Sequence, residues 1–300
     1  MVLIDYERIA KVGEAIGKLG YQPFINLDLR EPEYECLKWL YEKIGNPNIV
    51  LLVGLNAAIV DYQLSKGGAE TFWTTLKSVL SEHKIENLED LKEIFEKFLQ
   101  QPINARLRLQ KKKRIEKLLT SNLAVKILRE KFDKIVLTPV SVWTEIARTL
   151  QAPMDRKTIA FSMKVLDIVS LITRGKYANF PVRVPIPLNY HTAAMAIASG
   201  IIEIEEVNYE WRKVEKLRDR HYDTFLRAWE YTAEKASKIM EKDLSLLRLD
   251  SLIWQLSKIA KKYNFQKQIC KQLFKQYLLE VEADPEAAQQ VAIELTYNML

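Results

Sequence analysis

Lys157, Phe161 and Lys164 are spaced i, i+4 and i+7, so a helix through them places all three on one side. They lie in DRKTIAFSMKVLDIVSLITRG, Asp155 to Gly175. There Ile159, Ala160, Phe161, Met163, Val165, Leu166, Ile168, Val169, Leu171 and Ile172 leave almost no polar face. Such a helix is expected to be largely buried. A lysine held against an apolar wall loses hydration, which disfavours its charged form. The neutral amine is a nucleophile, and Schiff-base lysines arise in this way. The spacing alone fits a blander arrangement equally well, in which Lys157 reaches solvent from the first turn and Lys164 pairs with Asp167 or extends to water.

A second stretch with chemical potential is FPVRVPIPLNYHTAAMA, Phe180 to Ala196. Pro181, Pro185 and Pro187 fall within seven residues, and Asn189 then precedes a run of small apolar residues. Proline cannot continue a helix, and Asn is among the best N-caps, so a rigid loop is expected to end at Asn189 and a helix to begin there.

The net charge of +6 is unevenly placed. Between Arg106 and Lys134 eleven basic residues face three acidic ones, so this segment carries +8 and the remainder is slightly acidic. Its centre, RLRLQKKKRIEKLL, keeps Leu107, Ile115, Leu118 and Leu119 as an apolar stripe, with Lys111, Lys112, Lys113 and Arg114 among the cations. A folded helix with a basic face attracts polyanions and gains affinity by counterion release. Composition fits a merely solvated face just as well. Cys36 and Cys270 are too few for a disulfide framework, and with three scattered His they offer no metal-ligand spacing, so no metal or other cofactor is expected. The longest apolar run, Ile49 to Val60, has 12 residues with an Asn and a Gly inside it, too short to span a membrane. The N-terminal residues meet charge at once, which argues against a secretory leader and for an intracellular protein.

The elements that must position these groups are helical nearly throughout. Nine Gly, ten Pro and the lack of Asn-Gly or Asp-Gly turn signals speak against a β-rich fold. Ile9, Val12, Ile16 and Leu19 stripe a first helix that stops at Gly20. Glu31-Pro32 opens another, with Leu37, Leu40 and Ile44 inward before Gly45. Further helices are expected at about 48–64, 69–83, 87–100, 103–119, 122–133, 141–150, 156–174, 189–200, 208–239, 244–263, 266–281 and 284–299. No internal repeat and no low-complexity linker interrupts them. The fold class is all-α.

KTIAFSMK (Lys157–Lys164), followed after a short connection by VPIPLNY (Val184–Tyr190), resembles the archaeal 8-oxoguanine DNA glycosylases, AGOG, a divergent branch of the helix-hairpin-helix DNA glycosylase superfamily. REPEY (Arg30–Tyr34), LNAAIVDYQL (Leu55–Leu64), Trp73 and LDSLIW (Leu249–Trp254) fit in order, so the resemblance covers roughly residues 5–260. It implies a helix-hairpin-helix glycosylase fold of two helical lobes with the active-site cleft between them. The last 40 or so residues, 261–300, are expected as extra C-terminal helices packed on the domain formed by 1–260.

The resemblance also implies a bifunctional enzyme that flips a damaged guanine from DNA, cuts its N-glycosidic bond and nicks the strand by β-elimination. By likeness, Lys157 is the nucleophile that attacks the sugar C1′ and forms the Schiff base. Trp73 and Phe161 are the aromatic pair around the flipped base, and such stacking is worth about 1–3 kcal/mol per base. Lys164, Asp250 and Trp254 match groups that read the base, and Asp250 and Trp254 share a helix face at i, i+4. The connection from Arg174 and Gly175 to Asn189 is the expected hairpin, where backbone N–H groups and a helix N-terminus hold a DNA phosphate. The partner implied is DNA containing oxidised guanine, bound by a monomer in the cytoplasm, at the nucleoid, without a membrane.

Two departures bear on activity. The family pattern has Asp where this chain has Asn189, and that carboxylate stabilises the cationic sugar and helps to manage the lysine's proton. Asn keeps the cap but has no charge; losing one preorganised electrostatic contact costs about 3–4 kcal/mol, on the order of a hundred- to a thousandfold in rate. Weak turnover is expected unless another carboxylate substitutes. Asp155 is a candidate, although its place before the helix equally makes it an N-cap. The second departure is Glu33 where the family has a base-contacting Gln; Gln both donates and accepts, whereas an ionised Glu only accepts. The alternatives to an enzyme are a lesion-binding protein of the same fold and an all-α interaction scaffold in which the pocket residues are core.

Overall fold

The structure, a computed structural model, describes residues 2–65, 67–180, 183–204 and 213–300. Strand β1 (Val2–Ile4) leads to helices α1 (Tyr6–Lys18) and α2 (Gln22–Asp28). Nine helices follow: α3 (Pro32–Ile44), α4 (Pro47–Ala58), α5 (Gly68–Ser81), α6 (Leu88–Gln100), α7 (Arg108–Leu119), α8 (Asn122–Arg129), α9 (Phe132–Leu137), α10 (Pro139–Leu150) and α11 (Lys157–Arg174). Then come α12 (Tyr190–Ala198), strand β2 (Ile202–Ile204), α13 (Val214–Arg220), α14 (Tyr222–Met240), α15 (Leu246–Lys262), α16 (Lys267–Glu280) and α17 (Pro285–Leu295). The all-α reading holds, with one addition: β1 and β2 form a two-stranded antiparallel ribbon in which Val2 pairs with Ile204 and Ile4 with Ile202.

The chain divides into two compact units, one formed by 1–29 with 183–300 and the other by 30–182. In the first, α1 is capped by Asp5, which accepts from the Arg8 N–H. Its stripe of Ile9, Val12 and Ile16 joins Phe24, Met195, Trp229, Leu249 and Phe274 in one core. The Trp229 indole N–H finds the Thr192 carbonyl at 3.0 Å. Helices α16 and α17 contribute Phe274, Leu278, Val291 and Leu295 to this same core. Arg8 ties them to α1: almost buried, it donates to the carbonyls of Ser199 and Glu294, pairs with the Glu294 carboxylate at 2.8 Å and lies over the Tyr297 ring.

In the second unit the near-continuous apolar helices are α4 and α11. Every residue from Ile49 to Ala58 and from Thr158 to Ser170 is buried. The one amide in the α4 run, Asn56, spends its N–H on the Leu52 carbonyl one turn back. Among the described residues no helix is long and apolar enough to cross a membrane.

Several expected boundaries shift for local reasons. The helix expected over 48–64 ends at Ala58. The segment 122–133 is two helices, α8 and α9, because a straight helix cannot face both apolar sets inward: Leu123, Ala124 and Ile127 are out of phase with Phe132, Ile135 and Val136. The long helix expected over 208–239 breaks at His221 into α13 and α14, and its first residues, 208–212, lie outside the described residues, as do Pro181 and Val182. Helix α2, a seven-residue element with Pro23 in its first turn, was not expected at all.

The close packing of α4 on α11 turns on Gly54. A Cβ added there would stand 2.6 Å from Val165 Cγ1 and 3.3 Å from Leu37 Cδ1. Gly54→Ala gains about 1 kcal/mol of helix propensity but overpacks this seam, which typically costs about 1–3 kcal/mol. Net destabilisation is therefore expected, read as a lower urea-unfolding midpoint. A midpoint that stays or rises would show that the two helices do not meet at Gly54.

Candidate active site

Helix α11 begins at Lys157, and its N-cap is Arg156, with extended backbone and no side-chain cap bond. Asp155 is therefore not the cap that its position suggested. The half-buried Lys157 does not simply reach solvent: its Nζ donates to the main-chain carbonyl of Asp61 at 3.0 Å, just beyond the end of α4. The Asp61 carboxyl is itself buried. Burial pushes its pKa up, opposed by the charge of Lys157, by the Trp73 indole N–H and by Lys111 and Lys164. The Trp73 N–H favours the ionised carboxylate without meeting the geometry of a regular hydrogen bond. Trp73 is fully buried and packs edge-on to Phe72, with ring centroids 5.6 Å apart.

One turn of α11 further on, Phe161 is buried, and the Lys164 ammonium lies 6.0 Å from its ring. Lys164 does not snorkel. Its Nζ stands 3.3 Å from Glu31 Oε1 and 3.7 Å from Glu33 Oε1, with the three side chains 1 %, 2 % and 3 % exposed. Pro32 explains the pairing on the α3 side: it starts the helix, fixes Glu31 as the extended N-cap and puts Glu33 in the first turn. Asp167, the other partner considered for Lys164, accepts from the Ala178 N–H at 2.7 Å and so anchors the chain after α11. That chain leaves the helix through Gly175, whose φ of +67° is the left-handed region that glycine enters without strain.

The basic segment keeps an exposed face but turns two of its named cations inward. Lys111 is not part of a solvated face but fully buried, donating to Asn104 Oδ1 at 3.1 Å. Burial lowers its pKa to about 8. Arg114 also turns inward: its Nη2 donates to Thr158 Oγ1 at 2.7 Å, beside Lys157, and it shares the Tyr62 ring with Lys111 at 5.5 Å each. Lys112 pairs with Glu96 at 2.8 Å, and Arg174 with Asp133 at 3.1 Å. Of Lys111, Lys112, Lys113 and Arg114, Lys113 is the exposed one. Leu107, placed in the apolar stripe, is 52 % exposed and left-handed at φ +52°, because α7 starts only after it. Arg106, Arg108, Lys113, Lys117, Arg129, Lys131 and Lys134 are exposed, so the segment keeps a solvated basic face, while Lys111 and Arg114 turn inward, Arg114 towards the start of α11.

The remaining named groups lie in the first unit. Asn189 is the N-cap of α12, and its Oδ1 accepts from the His191 and Thr192 N–H groups at 2.7 and 3.2 Å, while Thr192 Oγ1 accepts from the Asn189 N–H. The other half of the amide is also used, Nδ2 donating to the Pro187 carbonyl at 3.0 Å. His191 Nδ1 lies 3.1 Å from Ser257 Oγ, and its ring meets Trp254 and Tyr190 edge-on. On α15, Asp250 is buried and Trp254 partly exposed, with Lys258 over the indole at 4.6 Å and Lys261 over Tyr190 at 5.0 Å. Helix α15 is held to α2 by Arg248 and Ser251, which reach the two oxygens of Asp28 at 2.5 Å each; Arg248 and Asp28 are essentially unexposed.

Four groups that carried no assigned role emerge: Asp61, Glu31, Asn104 and His191. A carboxylate directly after a twelve-residue apolar run and an acid directly before a helix-opening proline were the available signals for the first two. Nothing in the sequence distinguishes Asn104, or joins His191 to Ser257 sixty-six residues away. Among the described residues no group of three or more His, Cys, Asp or Glu is placed to hold a metal ion.

The buried Asp28–Arg248 pair generates a stability prediction. Asp28→Ala strips Arg248 and Ser251 of this partner at once, and breaking such a pair costs about 3–5 kcal/mol. Urea unfolding should show the loss; a change within about 0.5 kcal/mol, the range of an ordinary surface substitution, would remove Asp28 from the structural core of this unit.

Comparison with known proteins places this arrangement. Residues 13–288 match the family model described as AGOG: N-glycosylase/DNA lyase. The N-glycosylase/DNA lyase of Thermococcus kodakarensis is 26 % identical over 259 residues, covering 82 % of this chain and 94 % of the relative. The N-glycosylase/DNA lyase of Pyrobaculum aerophilum is 23 % identical over 247 residues, covering 82 % and 85 %. The fold matches the crystal structure of the 8-oxoguanine DNA glycosylase of Pyrobaculum aerophilum complexed with 8-oxoguanosine, with a TM-score of 0.68, 18 % identity and 96 % of both chains covered. With a family model matched over nearly its whole length, the chain belongs to AGOG, the N-glycosylase/DNA lyase family of helical DNA glycosylases.

Proposed function

We propose that the protein excises 8-oxoguanine from DNA and cleaves the strand through a Schiff base on Lys157. The observation that carries this reading is a primary amine at the first turn of an otherwise buried helix, steered by the Asp61 carbonyl at 3.0 Å, in a chain of the N-glycosylase/DNA lyase family. The Lys157 amine attacks the sugar C1′ as the N-glycosidic bond breaks, and the departing base takes up a proton. The sugar ring opens to the Schiff base, and loss of a C2′ proton expels the 3′-phosphate. Trp73 and Phe161 hold the flipped base by stacking, while Glu33 and Lys164 read its edges. The protein acts as a monomer in the cytoplasm.

Asn189 supplies no charge to the cationic sugar. The lysine's own unit holds a carboxylate that acts on it electrostatically, Asp61, and this supports residual turnover without an Asp at 189. A second reading, a lesion-binding protein of the same fold, draws on the Asn189 amide. Its oxygen and nitrogen are both committed to main-chain partners, so it serves as a cap complete in itself.

Borohydride trapping on an oligonucleotide bearing 8-oxoguanine separates the readings. Lys157→Gln should abolish the covalent adduct and strand cleavage while leaving binding within a few fold, and equal loss of binding and cleavage would count against a nucleophilic role. Asn189→Asp keeps an excellent cap and adds the missing charge, so the cleavage rate should rise on the order of a hundred- to a thousandfold. Trapping by the Asp variant alone would favour the lesion binder, and silence from both would sink the choice of substrate.

A further inference from the structure

Glu33 is the most unusual acid in the second unit. Its side chain is 3 % exposed, and among the described residues its ion-pair partner is Lys164, at 3.7 Å, a separation too long for a hydrogen bond. Its Oε1 is buried with no hydrogen-bond partner. The same ammonium stands closer, at 3.3 Å, to Glu31, whose charge repels that of Glu33. The other groups facing it are Asp61 from the end of α4, a second repelling acid, and Cys36 on its own helix, a thiol that burial keeps protonated. From α5, Lys77 reaches towards α3, but its ammonium is taken by Glu35 at 3.1 Å.

We propose that Glu33 stands in the site as a neutral carboxylic acid, because Glu31 has the closer hold on Lys164, and that its O–H and C=O together select the edge of an oxidised purine. The inference rests on the reading of this site as one for 8-oxoguanine. Two buried carboxylates on one ammonium favour retention of a proton by the more weakly held of them. Burial, Glu31 and Asp61 all act in that direction, raising the Glu33 carboxyl well above its usual range, while Lys164 opposes.

The base chemistry then follows. Unmodified guanine presents two adjacent acceptors, N7 and O6, on its imidazole side. Oxidation at C8 puts a hydrogen on N7, so the edge becomes an acceptor, a donor and an acceptor. A neutral acid has one donor and one acceptor on adjacent oxygens and can engage N7–H and a neighbouring carbonyl together. Guanine can use only its donor. An ionised Glu would accept from N7–H and then repel the carbonyl beside it. A Gln side chain offers the same donor and acceptor as the neutral acid, so a Glu that keeps its proton is chemically an amide at this position.

The pH dependence has a definite sign. A carboxyl raised on folding keeps its proton up to its folded pKa, and above that the donor is lost, so base affinity falls as pH rises. The test is the affinity of the wild type and Glu33→Gln for 8-oxoguanosine between about pH 6 and about pH 9, well above the usual carboxylate range. Ionisation of the nucleoside is common to both proteins and cancels in their ratio. We expect near-equal affinities at the acid end and wild-type binding about tenfold or more weaker than the variant at the alkaline end, as for an unpaired polar contact. In the free protein, infrared difference spectra should show a protonated-carboxyl band at neutral pH that Glu33→Gln removes. A constant affinity ratio, loss of binding by the variant at every pH, or absence of that band would each overturn the proposal, the last by itself locating the failure in the proton. A band present with neither protein binding 8-oxoguanosine would overturn the donor role and locate the failure in the reading of the site.

Discussion

The second unit depends on one constraint: a lysine ammonium buried in the middle of its most apolar helix must be met by a carboxylate. Lys164 cannot be hydrated where α11 puts it, and an isolated buried charge would cost several kcal/mol. Its partners come from the start of α3, where Pro32 fixes the backbone so that Glu31 and Glu33 flank the amine on the same side. Breaking that contact would not merely loosen a surface pair. It would leave a charge in a core that α4 and α11 pack tightly enough to need glycine at position 54.

The same logic runs through the rest of the unit at a gentler level. Lys157 is half-buried and takes a carbonyl in place of a carboxylate, whereas Lys111 is fully buried, its hydrogen-bond acceptor among the described residues is the neutral Asn104, and its pKa falls to about 8. Asp61 sits in the field of all three amines. The polar groups of α11 and α7 and the carboxylate just beyond α4 therefore form one electrostatic system around Asp61. Single substitutions in this group should therefore not add.

What could be read from the sequence follows from how local its signals were. The apolar run of α11, the proline before α3 and the Asn189 cap are consecutive residues obeying short-range rules, and each stands where those rules put it. The basic segment was legible only in part, because charge counted along a chain says nothing of which way each side chain points. Lys111 and Lys113 are neighbours in sequence, and one is buried while the other is exposed. Asp61 was within a motif already marked, but its significance depends on Lys157, ninety-six residues away. Glu31 stood out only as the residue before a helix-opening proline, and it is an ion-pair partner because α11 brings a lysine to it. The breaks at His221 and between α8 and α9 were missed because each flank is a good helix and only tertiary phase decides against continuity.

Asn189 shows how a fold can be silent about its own chemistry. Everything the α12 terminus needs from position 189 is one oxygen that accepts from two N–H groups, and Asn and Asp present that oxygen equally. The two side chains differ only in the second arm, which here is an N–H₂ group aimed at the Pro187 carbonyl. An aspartate in the same rotamer would set an oxygen against that carbonyl and would have to turn away from it, towards solvent or substrate. The amide is therefore satisfied inside the loop, and a carboxylate would be driven outward. The helix start, the proline loop and the core behind them would look the same in either case. Architecture constrains the cap, and Asn and Asp differ in charge only at the atom that the cap does not use.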